Sequence, residues 1–209
     1  MNGSVEPIAR STLSQTVPSV SQGNLVNALP EPADFGPGWV FDTESVDDHD
    51  YFELVTGGAV GDACEGADPA RVGLPVMSPH KITATMKRED GPSSVEMGIG
   101  VDSPAASSDR ITFLRAVYEQ CGKVEREGTD EKFTVEHEIL KVPGVKADQT
   151  LAVRVTTERE KDGDKKKTVS TRAYARVGGL VVGLLGFDGA DPRPHLAAAL
   201  AEARRELRL

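Results

Sequence analysis

No apolar run in this chain approaches the roughly eighteen residues that a membrane-spanning helix requires. The run Leu180-Val181-Val182-Gly183-Leu184-Leu185 is far shorter. Cysteine is scarce too. Cys64 and Cys121 are the only two, and neither has a Cys or His two to four residues away, so no zinc knuckle is present. Two cysteines suit a single disulfide in an oxidising compartment, or two unrelated buried thiols. Aromatic residues make up 5% of the chain, with a single tryptophan. Positive charge is outweighed, 24 Lys and Arg against 33 Asp and Glu, for a net charge of −9. Such a chain is poorly placed to neutralise phosphates, which argues against a nucleic-acid partner and against docking on an anionic membrane through a basic patch. The start "MNGSVEPIAR" has no basic region followed by an apolar one, so no signal peptide is expected; "MNGS" is compatible with a start added to a mature chain.

What is present is globular in character. Hydrophobic residues make up 38% and charged residues 27% of 209, enough for one domain of roughly 150 to 190 residues and a tail. Residues 1–23 are rich in Ser, Thr, Gln, Val and Pro and show no period, as in a flexible tether. The domain is expected over 24–209. "NLVNALPEPADF" opens it with a short apolar turn, and its prolines forbid a long helix.

Period-two alternation follows. Ile82, Ala84 and Met86 share one face, as do Val95, Met97, Ile99 and Val101, and Asp90-Gly91 marks the turn between these two strands. Residues 104–121 change to a helical period, with Ile111, Leu114, Val117, Tyr118 and Cys121 on one side. Pro104 suits the first turn, Ser103 or Asp102 the cap, and Gly122 the stop. Four more strands are expected: 133–140, with Phe133, Val135, His137 and Ile139 on one face, 150–158, with Leu151, Val153 and Val155 on one face, 168–177 and 180–187. Asp162-Gly163 and Gly178-Gly179 stand at hairpin tips. Asp191-Pro192 opens a last helix with a seam of Leu196, Leu200, Ala203 and Leu207. Hairpins imply antiparallel pairing, and two amphipathic helices need a sheet to cover. The expected fold is α+β: a single twisted antiparallel sheet of about six strands flanked by two main helices.

Linear motifs of catalysis are missing. Asp34-Phe35-Gly36 repeats the magnesium-holding letters of protein kinases. Only 33 residues precede Asp34, and none is a lysine, so the strand lysine and catalytic loop of a kinase have no place. "EHEIL" hints at a zincin helix, but residue 141 is Lys141 where a second histidine is needed, and the segment reads as a strand. There is no Gly-x-Ser-x-Gly, and His49, His80, His137 and His195 form no constellation. His137, in phase with Phe133, Val135 and Ile139, reads as a core or cleft histidine. The acidic run 42–53 lacks the glycine of an EF-hand and reads as a solvated loop; Asp47, Asp48 and Asp50 would supply the oxygens were a metal bound. Neither an enzyme nor a cofactor is expected.

The segment "LVNALPEPADFGPGW", a cysteine in a loop, another at a helix end, and the closing "RAYARVGGLVVGLLGFDG" together resemble a group of actinobacterial, largely mycobacterial, envelope proteins. These are the PknH-type extracellular sensor domains and the lipoproteins built on the same domain. The likeness covers roughly residues 25 to 208. PknH-type domains usually carry four cysteines in two disulfides; here there are two. The resemblance implies an extracytoplasmic location in the cell envelope, membrane-anchored or secreted, with any membrane attachment made through an N-terminal anchor removed from this chain. It strengthens a Cys64–Cys121 disulfide, which would close a loop of about 58 residues. It also implies a ligand groove between sheet and helix, for which Trp39, Phe41, Tyr118, His137 and Tyr174 are the candidate lining. The partner would be a small apolar molecule. An exposed patch, such as the acidic loop against a basic envelope protein, is the alternative. Trp39 is expected to be mostly buried.

Overall fold

A computed structural model describes residues 20–47, 80–127 and 131–209. Its centre is an eight-stranded, wholly antiparallel sheet. The strands are β1 (Trp39–Asp47), β2 (His80–Arg88), β3 (Ser94–Val101), β4 (Lys123–Glu127), β5 (Glu131–Leu140), β6 (Gln149–Lys161), β7 (Asp164–Val177) and β8 (Leu180–Phe187). The helices are α1 (Gln22–Asn27), α2 (Pro32–Phe35), α3 (Pro104–Gln120) and α4 (Leu196–Leu207), with a 3-10 turn at Arg193–His195 before the last. In space the strands run β1-β2-β3-β8-β7-β6-β5-β4. One meander, β1 to β3, fills one side. Helix α3 carries the chain to the far edge, and a second meander, β4 to β8, returns to dock β8 on β3.

Eight strands replace the six that alternation predicts, and the two extra ones are the edges. β4, "KVERE", has one apolar residue, Val124, and β1 turns polar after Phe41. An edge strand needs few apolar side chains, and charge there guards the unpaired edge. The central strands are the opposite. β8 is buried along most of its length, Leu180 to Leu184 at 3% exposure or less for every hydrophobic residue. Buried on both faces, it reads as a continuous apolar run.

The hairpins form where turn chemistry places them. Asp162 and Gly163 both hold positive φ between Lys161 and Asp164, the geometry of a two-residue primed turn. Gly178 has φ +56 in the two-residue turn joining Val177 to Leu180. Gly179 is required for another reason: a Cβ there would collide with the Asp102 carbonyl oxygen.

Two helical layers are staggered on opposite faces. On the first, α1, α2 and α4 cover a core of β2, β3, β7 and β8 residues, including Ile82, Met86, Met97, Val182 and Leu184. On the second, α3 packs on β5, β6, β7 and β8 through Ile111, Phe113, Leu114, Val117 and Tyr118. Complete burial of each such side chain contributes about 1.5–3 kcal/mol. The first face of β4 to β7 lies beyond the helices. It carries cross-strand ion pairs instead: Arg154–Glu138 at 2.6 Å, Lys165–Glu160 at 3.3 Å and Lys167–Glu158 at 3.5 Å.

Helix α3 is seated by polar groups as well. The Ser103 hydroxyl accepts from the Ala106 N–H at 3.2 Å, capping the N-terminus. Asp102, 7% exposed, pairs with Arg110, 3% exposed, and accepts from the Ser103 N–H at 2.6 Å. The Asp102 N–H donates to the Gly179 carbonyl at 3.0 Å, and the Ser107 hydroxyl donates to the same oxygen at 2.9 Å. The helix start is thereby tied to the β7–β8 turn.

The segment with the kinase-like letters proves to be architecture. The Asp34 carboxylate accepts from the Glu31 N–H at 2.9 Å, closing the four-residue α2. Gly36 and Gly38, at φ +94 and +79, then turn the chain into β1. Phe35, 5% exposed, stacks on His195 at 4.6 Å, and Trp39 packs beside it at 5.7 Å. Trp39 is half-buried, with the Arg88 guanidinium 5.8 Å from its ring. Phe35 rather than Trp39 is the fully buried anchor.

Candidate functional site

The five groove candidates separate onto two faces. Trp39 and Phe41 pair with Arg88 and Met86 and pack against the α1/α4 core. Tyr118, His137 and Tyr174 lie on the opposite face, under α3. A single groove therefore does not hold all five. The second set forms the more concentrated chemistry, because it gathers charged groups that period-two reading of apolar residues had passed over.

Strand β7 explains how. Thr171, Ala173 and Ala175 are buried, and both alanines belong to the α1/α4 core. The alternate residues Arg172 and Tyr174 therefore face α3. Tyr174 pairs with Gly183 on β8, which pairs with Gly98 on β3; Arg172 pairs with Leu185, which pairs with Glu96. Glu96 thus stands two strands from Arg172, about 10 Å by the inter-strand spacing.

The Arg172 guanidinium donates through Nη1 to the Tyr118 hydroxyl at 3.2 Å, and the Tyr174 hydroxyl also accepts from it. The Tyr118 ring packs on His137 at 4.9 Å. His137 Nδ1 lies 2.8 Å from the Cys121 carbonyl. A carbonyl can only accept, so Nδ1 carries the proton, and Nε2 of the neutral ring is the acceptor. The backbone fixes the same residue a second time, through the His137 N–H to the Gly122 carbonyl at 2.8 Å. The C-terminus of α3 thereby sets the orientation of the imidazole.

Environment shifts His137, Glu96 and Tyr174. Burial holds the His137 imidazole below its ordinary value; the hydrogen bond to Cys121 opposes this and the Arg172 charge adds to it. Burial raises the Glu96 carboxyl, with Arg172 opposing. Burial pushes the Tyr174 phenol up, and Tyr118 adds to this. At neutral pH the set offers a cationic guanidinium, two phenol hydroxyls and a neutral imidazole, facing one carboxyl group. Perturbed groups gathered beside a helix–sheet seam mark a candidate site. Donors and an acceptor alternate there, but nothing in the set resembles a nucleophile beside its base. The same face continues toward β2 with Thr83 and Thr85, opposite Gly98 and Glu96. Gly98, Gly100 and Gly183 leave it free of side chains in between.

Other expectations fall elsewhere. Cys121 is the C-cap of α3 and 4% exposed, while Cys64 lies outside the described residues. Asp48, Asp50 and the side chain of Asp47 lie outside them too. Phe41 joins Val26, Leu29 and α4 residues around a separate surface groove of about 610 Å3.

Together these features define a class: an antiparallel-sheet domain with helices staggered on its two faces and a polar cluster under one of them. The fold is similar to that of the extracellular domain of PknH from Mycobacterium tuberculosis, with a TM-score of 0.55 and 12% identity, covering 93% of this chain and 100% of that one. An uncharacterised protein of Mycobacterium smegmatis, the Rv0999 ortholog, aligns with a TM-score of 0.48 and 14% identity over 90% of this chain and 98% of that one. No family model matches the sequence, and no curated protein matches it. At these identities the likeness is one of fold.

Proposed function

We propose that this chain is a non-catalytic, extracytoplasmic, sensor-like domain of the cell envelope that binds a small polar molecule on the α3 face of its sheet. The observation that carries the reading is the Arg172 cluster. A guanidinium, two phenols, an imidazole and a carboxyl group at a helix–sheet seam are costly to bury, and their combined donors and acceptors suit a ligand with both. A polar ligand fits these side chains better than the apolar one suggested by sequence. The extracytoplasmic assignment draws on the likeness to an extracellular domain. A Cys64–Cys121 disulfide belongs to the same proposal. It would hold the α3 C-terminus, and with it the Cys121 carbonyl that orients His137.

Thermal-shift screening of the full chain against polar metabolites, amino acids and sugars tests the reading. A hit is expected to raise the melting temperature of the wild type and to lose that effect in Tyr118→Phe, which removes one hydroxyl and keeps the ring. Hits that stabilise both proteins equally, or a complete absence of hits at millimolar concentration, would count against it.

A further inference from the structure

The groove between α1 and α4 lies on the other face of the sheet and is independent of the Arg172 cluster. Its volume is about 610 Å3, within the range of binding clefts. Val26 from α1, Leu29 just beyond it and Phe41 from β1 give it an apolar floor. Val26 is 44% exposed, unusual for a large aliphatic residue in this protein. The rim is acidic: Glu31 on one side, Glu202 and Glu206 on the other, against Arg205. Arg205 pairs with both α4 carboxylates, reaching Glu206 at 3.1 Å, yet its side chain is 69% exposed. Asp34 adds negative potential nearby.

We infer that this groove docks a basic segment of a partner protein, one aliphatic side chain entering between Val26 and Phe41 while flanking Lys or Arg side chains meet the glutamates. Charge complementarity selects this occupant. A neutral apolar ligand would use the floor and gain nothing from the rim, where Glu31, Glu202 and Glu206 outnumber Arg205. An anionic surface would be repelled by them. A cation on an aliphatic stem uses both, as amphipathic segments do in helix-lined grooves. Arg205 occupies the cation position until the partner arrives. Its exposed side chain can swing away at little cost, since exposed ion pairs are weak.

The test is a titration of the isotope-labelled full chain with a fourteen-residue peptide of Lys and Leu at helical spacing, followed by amide chemical shifts. Shifts are expected to concentrate at Val26, Leu29, Phe41, Glu202 and Glu206. Affinity is expected to fall at least fivefold in Glu202→Gln/Glu206→Gln and in Val26→Ser, and to rise in Arg205→Ala. Because Glu202 is largely buried, Glu31→Gln on the opposite rim provides a second reading, with a weaker loss. Higher salt should weaken binding, and a Glu/Leu peptide should not bind. The proposal fails if the shifts spread over other acidic surfaces, or if the glutamine variants bind as the wild type does. Equal binding of the Glu/Leu peptide would overturn it too. So would sedimentation showing a dimer abolished by Val26→Ser, since a second copy would then be the occupant.

Discussion

Replacing Arg110 by methionine removes a charge from a place where its partner cannot follow it into water. Arg110 and Asp102 are 3% and 7% exposed and paired. In Arg110→Met the aliphatic stem is retained, so the packing of α3 changes little. The Asp102 carboxylate stays buried beside the Ser103 N–H that it accepts from at 2.6 Å. Breaking a buried pair from one side costs about 3–5 kcal/mol, mostly from the stranded charge. That is a large part of the 5–15 kcal/mol by which domains are stable. In a protein of this size each kcal/mol moves the melting temperature by about 2–4 °C, so a loss of about 6–20 °C is expected. Asp102→Asn takes the carboxylate charge away from a buried guanidinium and should also destabilise. Arg110→Met/Asp102→Asn removes both charges and keeps an oxygen for the Ser103 N–H. It should recover at least about 2 kcal/mol relative to the sum of the single variants. Urea denaturation of the four proteins measures the cycle. Single variants costing under about 1 kcal/mol, or strictly additive costs, would refute the claim that this pair seats α3.

Other perturbations probe the same framework. Gly179→Ala should cost about 1–3 kcal/mol in chemical denaturation, because its Cβ would collide with backbone at Asp102. Gly178→Asn faces open space and a φ that asparagine tolerates, so it should cost clearly less. The His137 imidazole is held below its ordinary value in the folded state, so the unfolded chain takes up the proton first as pH falls. Its contribution is therefore complete above the unfolded value near 6.5 and is lost as pH falls through the folded one. His137→Gln should flatten the pH dependence of melting over that window; an unchanged slope would show that the imidazole is not held neutral. Thiol titration in denaturant without reductant is expected to find no free thiol, and reduction to remove about 4 kcal/mol in the chain-entropy account of a loop of about 58 residues. Two reactive thiols would remove the disulfide from the proposal.

The sequence carried the fold's interior better than its borders. Alternation at Val95–Val101 and the stripe Ile111–Cys121 located β3 and α3, because burial on one side forces a period. β1 and β4 fall outside the six expected strands because edge strands bury little; Val124 alone gives no period. The candidate site was half legible. Tyr118 and His137 emerged from their apolar phase. Arg172 and Glu96 did not, since each occupies the alternate phase of a strand scored by its apolar residues. The signal was present in "TVSTRAYARV": Thr171, Ala173 and Ala175 on one side against Arg172, Tyr174 and Arg176 on the other. Trp39 and Phe41 drew attention as aromatic residues. Their register with Arg88 and Met86, which placed them on the opposite face, depends on long-range pairing that composition does not encode.

The central claim is that the Arg172 cluster receives a polar ligand, and native mass spectrometry of the intact chain tests it most directly. The wild type should retain a small polar adduct, and Glu96→Gln and Tyr118→Phe should each weaken retention tenfold or more while melting within a few degrees of it. An adduct that persists unchanged in both variants, or no adduct from any polar library at millimolar concentration, would contradict the account.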